Sequence, residues 1–535
     1  MSFSSDLLAL LDDLALRSPE EASFDIGEAF ADLHWQEASA AEINSVAAAY
    51  LPFLHKTATR LRASLRQTGL PLNETSRGQW RAQLRLYRYA QLLLNLVATA
   101  LHEQDDDRSE YLVRVHQERV EWCIRTMLDG YRVYVDVPSS LMVDLHQLVD
   151  LARGDLAQDY PSGWLSIHRH YVAFLTLAVV NPYGLTAEEL EDGYECLIQL
   201  GEFIHLSQEQ PTPTSRFIDL SGKILPHIAL TPRASMAAAG AFLDLGRLYE
   251  PTALDGLPTP CRLVVYGLLE RLQFYFSGRT PRNSNVSASK PVQSSLISLG
   301  FISAHHRLER LEYPDRQADL TLSLAGLDWE GLEQPIRGGV QPLVIEPEFK
   351  MDIRTTAVKD DLSWEGVHGA PEASTAVIRP GAEWDVINFS SQGFRFHWRL
   401  AGNSHAAVDD LLLAEFPQGT SDRPKFALGI VRWVRHMDAE MKTIDMGVQR
   451  VPGQMFAGYA RDVRSVGAGW SKSWPIIVLL DERLQPVRAV ISTALAVEAH
   501  TLLVVREGQE LRLQLGAVCQ TGQDFLIMEV ERVDA

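Results

Sequence analysis

The chain has few cysteines. Four occur in 535 residues, and Cys123, Cys196, Cys261 and Cys519 stand far apart with no Cys-x-x-Cys pair. That spacing argues against a disulfide framework and a structural zinc site, and it fits a reducing compartment. Positive charge is also short: 49 Lys and Arg against 69 Asp and Glu leave a formal net charge of −20. A surface of that sign disfavours a protein that coats DNA, RNA or anionic lipid. It leaves room for a small anionic ligand in a local basic pocket. Long apolar runs are missing too. The longest, near Leu92–Leu101 and Tyr171–Val180, are about ten residues and too short to span a bilayer. Met1-Ser2-Phe3-Ser4-Ser5-Asp6 lacks a basic region leading into an apolar core, so no signal peptide is expected and a cytoplasmic location is.

Catalytic signatures are missing as well. There is no Gly-x-x-x-x-Gly-Lys-Ser/Thr phosphate loop, no Gly-x-Ser-x-Gly elbow and no His-Glu-x-x-His pair. Gly467-Ala468-Gly469 is a lone Gly-x-Gly. The acid pairs Asp409-Asp410, Asp360-Asp361 and Glu188-Glu189 are adjacent, and adjacent side chains point apart in helix or strand. The expectation is no enzyme, no catalytic residue, no metal and no cofactor.

What is present reads as a multidomain α + β protein. The length implies two to four domains, and 46% apolar with 22% charged residues is ordinary for a globular chain. Residues 1–40 are acidic and Ser/Ala-rich and read as a partly ordered lead-in. Residues 41–250 read as an all-α array of about eight helices. Ala47, Tyr50, Leu51, Leu54, Ala58 and Leu61 recur every three or four positions, as do Leu84, Leu86, Tyr87, Ala90, Leu93, Leu94 and Val97. Asn181-Pro182-Tyr183-Gly184 stops one helix, and Thr186 with Glu189 has capping-box spacing for the next. His168 and His170, two apart on one helix, face different directions and read as surface or core-edge residues rather than metal ligands. Lys223–Leu225 and His227–Leu230 look extended, and Ala234–Tyr249 looks helical.

Residues 251–380 read as a linker helix over Arg262–Phe276, a basic linker, a first strand over Val292–Ala304, and an insertion or extra domain. Residues 470–535 read as a C-terminal β extension, either the closing part of the barrel or an additional small β module packed on it, with apolar strands at Ile476–Leu480, Arg488–Ile491, Thr501–Val505, Leu511–Cys519 and Phe525–Val530.

The most informative stretch lies in residues 381–455. Trp384, Val386 and Ile387 enter as a strand. Asn388, Ser390 and Ser391 favour a turn by bonding back to nearby backbone. Gly393 allows close approach of backbone or ligand. Phe394, Phe396 and Trp398 then alternate with Arg395, His397 and Arg399, the mark of a half-buried strand. Trp398 and Trp433, at alternating strand positions, read as core aromatics.

The spacing Asn388-x-Ser390-x-x-Gly393 resembles the turn of PilZ domains, bacterial receptor modules for cyclic di-GMP. Gly429-x-Val431-x-Trp433, then Ile444-Asp445-Met446-Gly447-Val448, resembles two later strands of the same barrel. The resemblance implies an antiparallel PilZ-like β-barrel after the helical half. It also implies cyclic di-GMP as ligand, with Asn388, Ser390 and Gly393 at a guanine edge and linker arginines on the phosphates. An arginine fork suits both phosphate and the O6/N7 edge of guanine. The family's linker motif is Arg-x-x-x-Arg. Here the candidates Arg279 and Arg282 are one residue short of it, as are Arg307 and Arg310. No Gly-Gly-Asp/Glu-Glu-Phe or Glu-Ala-Leu signature, which would make or break the nucleotide, is present. The expected function is a signalling receptor that couples nucleotide binding to a helical domain contacting an unidentified protein partner. The alternative is a scaffold with a degenerate barrel that binds no nucleotide and acts through protein–protein contact.

Overall fold

The computed structural model describes residues 3–533 apart from 32–34, 36–37, 67–68, 103–108, 209–214, 222–225, 227–239, 277–292, 313–380, 390–392, 400–401, 417–424, 464–473, 494, 496–500 and 507–508. These form two compact units. The first is Met1–Asn285 with the segments Arg399–Ser404 and Trp433–Asp445. The second is Val286–Trp398, His405–Arg432 and Met446–Ala535.

The first unit is mainly helical: α1 (Phe3–Leu14), α2 (Pro19–Ala31), α3 (Ala40–Leu65), α4 (Glu74–His102), α5 (Ser109–Arg132), α6 (Ser139–Leu156), α7 (Pro161–Val179), α8 (Ala187–Gln199) and α9 (Thr259–Phe276). Consecutive helices pack on one another from α3 to α6 and from α6 through α7 and α8 to α9. A capping box starts α3, where Ser39 Oγ accepts from the Glu42 N–H and Glu42 Oε2 accepts from the Ser39 N–H at 3.0 Å. The same device at Thr186 and Glu189 starts α8, as the spacing predicts. Within the first forty residues α1 and α2 are packed elements. Leu7, Leu14, Ile26 and Phe30 are buried, and Tyr50 donates its hydroxyl to the Leu7 carbonyl at 2.7 Å.

A buried carboxylate ties three of these helices together. Asp129 on α5 receives Arg62 Nε of α3 at 2.7 Å, Arg132 Nη1 at 2.8 Å and Gln83 Nε2 of α4 at 3.1 Å. Burial pushes its carboxyl up, and the two guanidinium groups offset only part of that rise. The Asn181–Tyr183 stop also has partners that the sequence did not reveal. The Tyr183 hydroxyl donates to Asp136 Oδ1 at 3.0 Å, and Arg435 pairs with the same carboxylate at 2.6 Å while lying 5.1 Å from the Tyr183 ring centre.

Two expectations fail in this unit. Cys196 and Cys261 are joined by a disulfide, where the spacing of the cysteines argued against a disulfide framework. Packing of α8 on α9 brings their Cα atoms to 5.5 Å across 65 residues of sequence, a proximity that no local spacing announces. Ala234–Tyr249 is not one α-helix: its described part, 240–249, is a strand followed by a single 3-10 turn at Gly246–Tyr249. Gly240–Asp244 is a strand, β3, between β1 (His205–Ser207) and β2 (Ser215–Asp219). A Cβ on Gly240 would stand 2.2 Å from the Phe217 ring, so the glycine lets the two strands close. Residues 223–225 and 227–230, expected to be extended, lie outside the described residues.

Two antiparallel barrels of six strands each make up most of the second unit. The first contains β4 (Gln293–Leu299), β5 (Ala382–Phe389), β6 (Gly393–Trp398), β7 (Leu411–Phe416), β8 (Lys425–His436) and β9 (Ile444–Arg450), closed in the order β4-β5-β6-β9-β8-β7. The second contains β10 (Gln454–Asp462), β11 (Trp474–Leu480), β12 (Pro486–Ser492), β13 (Thr501–Arg506), β14 (Gln509–Thr521) and β15 (Phe525–Arg532), closed in the order β10-β11-β12-β15-β14-β13. The strand expected over Val292–Ala304 stops at Leu299. Gly300, at φ +87°, turns the chain into α10 (Phe301–Glu312). The long stretch between Glu312 and Ala382 therefore falls between the first two strands of a barrel.

One apolar cluster joins α10 to both barrels, through Phe301, Ala304 and Leu308 with Leu411, Leu428, Ile477 and Phe525. Polar contacts fix the helix on both sides. Arg307 grips Glu415 of β7 with two nitrogens, one of them at 2.9 Å. His305 Nε2 donates to the Gly458 carbonyl at 2.8 Å. Glu312 Oε2 accepts from the Ala457 N–H at 3.1 Å, Glu309 Oε2 accepts from the Tyr459 hydroxyl at 2.8 Å, and Asp524 Oδ2 accepts from the Phe301 N–H at 3.3 Å. Among the described residues no helix is long and apolar enough to cross a membrane.

Candidate functional site

Of the site predicted from the sequence, the described residues Asn388 and Gly393 lie in the first barrel, near the end of β5 and at the start of β6. Trp384 and Val386 of β5 and Phe396 and Trp398 of β6 are buried. The Trp384 and Trp398 rings lie 5.0 Å apart, so these aromatics fill the barrel rather than offer a stacking surface.

The register then slips. Val386 pairs with Phe396, but the next pair is Asn388 with Arg395, leaving Ile387 as a bulge. Asn388 is thus a strand residue, not the turn residue that its type suggested. The slip sets it across from Arg395, a half-exposed arginine that the sequence presented only as the wet side of a strand. The pair offers an amide with both donor and acceptor beside a planar cation. That set can meet a guanine edge and a phosphate.

Gly393 starts β6. A Cβ there would stand 2.2 Å from the Val448 carbonyl oxygen of β9. The close approach expected at this glycine is therefore made by the barrel's own backbone. Gln293, the first residue of β4, pairs with Val386. The chain thus enters the barrel beside the end of β5 that carries Asn388, and Arg282 lies eleven positions (293 − 282) before that entry in sequence. Ser390, Arg279 and Arg282 lie outside the described residues.

The second arginine candidate is excluded from a linker role. Arg307 belongs to α10 and is held by Glu415, whose hydrogen bonds push the guanidinium further up. Arg310 is on the same helix, with its Nε buried. Among the described residues no three His, Cys, Asp or Glu side chains gather as a metal site.

Residues 5–212 match the family model for the N-terminal domain of the cyclic-di-GMP receptor FimW. The match covers the helices from α1 to α8 and neither α9 nor the barrels. No curated protein and no solved structure matches the chain.

Proposed function

We propose that the protein is a cyclic di-GMP receptor of the bacterial cytoplasm, in which the first barrel binds the nucleotide and the helical unit engages a protein partner. The observation that carries this is the agreement of two separate parts of the chain. Residues 5–212 resemble a domain of a cyclic-di-GMP receptor, while the PilZ-like spacing Asn388-x-Ser390-x-x-Gly393 lies far outside that match. In this reading Asn388 and Ser390 take a guanine edge, and Arg279 and Arg282 take the phosphates. The entry of β4 beside Val386 supports the linker's part, since eleven residues reach up to roughly 35 Å when extended. Arg395 joins the set by facing Asn388. The reading needs no catalytic group, metal or cofactor. Binding shifts the chain between arrangements only as far as the nucleotide prefers one of them. In a reducing cytoplasm Cys196 and Cys261 would be held as two thiols.

The rival reading is a scaffold with a degenerate barrel and no nucleotide. One observation favours it: the Val448 carbonyl accounts for Gly393 without any ligand.

Calorimetric titration of the full chain with cyclic di-GMP decides between them. The receptor reading expects saturable micromolar or tighter binding, lost in Ser390→Ala and weakened in Arg282→Ala. No heat and no thermal stabilisation well above micromolar nucleotide would leave the scaffold.

A further inference from the structure

The two barrels share one topology. In each, numbering the strands from its own first, the order around the barrel is one-two-three-six-five-four. The likeness extends to residues. The fifth strand of the first barrel carries Gly429, and the fifth strand of the second carries Gly516, although the valines two residues on differ, Val431 being buried and Val518 exposed. Both glycines lie against their own sixth strand. A Cβ on Gly429 would stand 3.1 Å from the Gln449 carbonyl of β9, and one on Gly516 would stand 3.3 Å from the Glu529 carbonyl of β15. The first strands also enter alike: Gln293 pairs with Val386 near the end of strand two, and Gln454 pairs with Leu480 at the end of strand two.

The barrels differ where the first carries its candidate site. In the second, the turn between strands two and three is closed on itself. Asp481 Oδ1 accepts from the N–H groups of Arg483 and Gln485, both at 2.8 Å, and the Asp481 N–H donates to the Gln485 carbonyl at 2.9 Å. Asp481 and Glu482 outnumber Arg483 there, and the net negative charge disfavours an anion. Strand three opens with Pro486 where the first barrel has Gly393. The entry is closed as well. Only Val451, Pro452 and Gly453 separate β9 from β10. Val451 is buried with its N–H on the Leu428 carbonyl at 2.9 Å. No arginine linker fits in three residues. The second barrel instead spends its polar groups on α10. Ala457, Gly458 and Tyr459 of β10 and Asp524 of the β14–β15 turn all bond that helix.

We infer that the second barrel is a copy of the first with a closed ligand end, that it serves to hold α10, and that the chain has a single nucleotide site, on the first barrel. The last clause rests on the receptor reading; the first two do not.

Two measurements on the full chain test this. The first is titration with cyclic di-GMP of the wild type, Asn388→Ala and Arg483→Ala. The expected result is affinity lowered about tenfold or more by Asn388→Ala, with no second binding phase, and within about twofold of wild type in Arg483→Ala. Binding that survives Asn388→Ala and falls in Arg483→Ala would overturn the inference. The second is hydrogen exchange without nucleotide. Glu312→Ala should speed exchange of the Ala457 amide in residues 454–462 by about tenfold, with residues 382–389 unchanged. Unchanged exchange over 454–462 would refute the holding role. A wild-type chain that takes no nucleotide removes the receptor reading, and the role of the second barrel is then decided by exchange alone.

Discussion

Acid should loosen the second unit through one histidine. His305 on α10 is 3% exposed, and it donates from Nε2 to the Gly458 carbonyl. Burial pushes its pKa down to about 4, with the carbonyl bond pulling weakly the other way. In the unfolded chain the imidazole titrates near its ordinary value of about 6.5. Between these values the unfolded chain binds a proton that the folded chain refuses. The contribution of His305 to stability is therefore complete above about pH 6.5 and is lost as pH falls through about 4. The difference is about 2.5 pH units, which is worth about 3 kcal/mol. Carboxylates titrate in the same range, so the measurement must be a difference. His305→Gln keeps an N–H donor and removes the titration. Urea unfolding of wild type and His305→Gln, stepped from pH 7 to pH 4, should show the wild type losing about 3 kcal/mol more than the variant. Parallel curves would refute the claim that a neutral imidazole is held at the barrel wall.

Three further outcomes are expected. Gly393→Ala should lower the stability of the nucleotide-free protein by about 1–3 kcal/mol, because its Cβ meets a backbone carbonyl that cannot step aside; urea unfolding checks this, and an unchanged midpoint would return the glycine to a ligand role. Asp129→Ala should cost about 3–5 kcal/mol in the same assay, because it takes the carboxylate from Arg62 and leaves buried Arg132 with Glu191 alone, and a neutral result would mean that the arginines find water. Oxidised chain should lose two hydrogens at Cys196 and Cys261 by mass spectrometry, and reduction should lower stability by about 2–4 kcal/mol; equal stability of the two forms would mean that the α8–α9 packing does not need the link.

The helices were the most legible part of the chain, because a stripe such as Tyr50, Leu54, Ala58 and Leu61 is both a sequence pattern and a buried face. The capping box at Thr186 was readable for the same reason: its two partners are three residues apart. Strand identity was also local, and Phe396 and Trp398 alternate as expected. Closure was not local. The second barrel depends on β10 pairing with β13, Tyr459 with Val505, and no spacing rule spans that gap. The reading of residues 470–535 therefore saw the strands and left open whether they close the first barrel or make a β module of their own; the structure makes them a second barrel, completed by β10. At the candidate site the residue types were legible but the bulge at Ile387 was not. That one-residue slip decides that Asn388 faces Arg395. Within 240–249 the helix expectation failed at Gly240–Asp244, because pairing of that segment with β1 and β2 outweighs the helix preference of residues such as Ala241 and Leu243.

The position of β4 has a consequence for how the protein is made. Gln293 and its partner Val386 are 93 positions apart (386 − 293). At a ribosomal rate of about 5–20 residues per second, the first strand waits roughly 5–19 s for its neighbour to be synthesised. Its other neighbour, β7, arrives later still. Throughout that interval Leu296, Ile297 and Leu299 have neither edge partner nor core. The nascent chain thus carries an unpaired apolar strand, the kind of segment that chaperones shield and that crowded ribosomes risk pairing with one another.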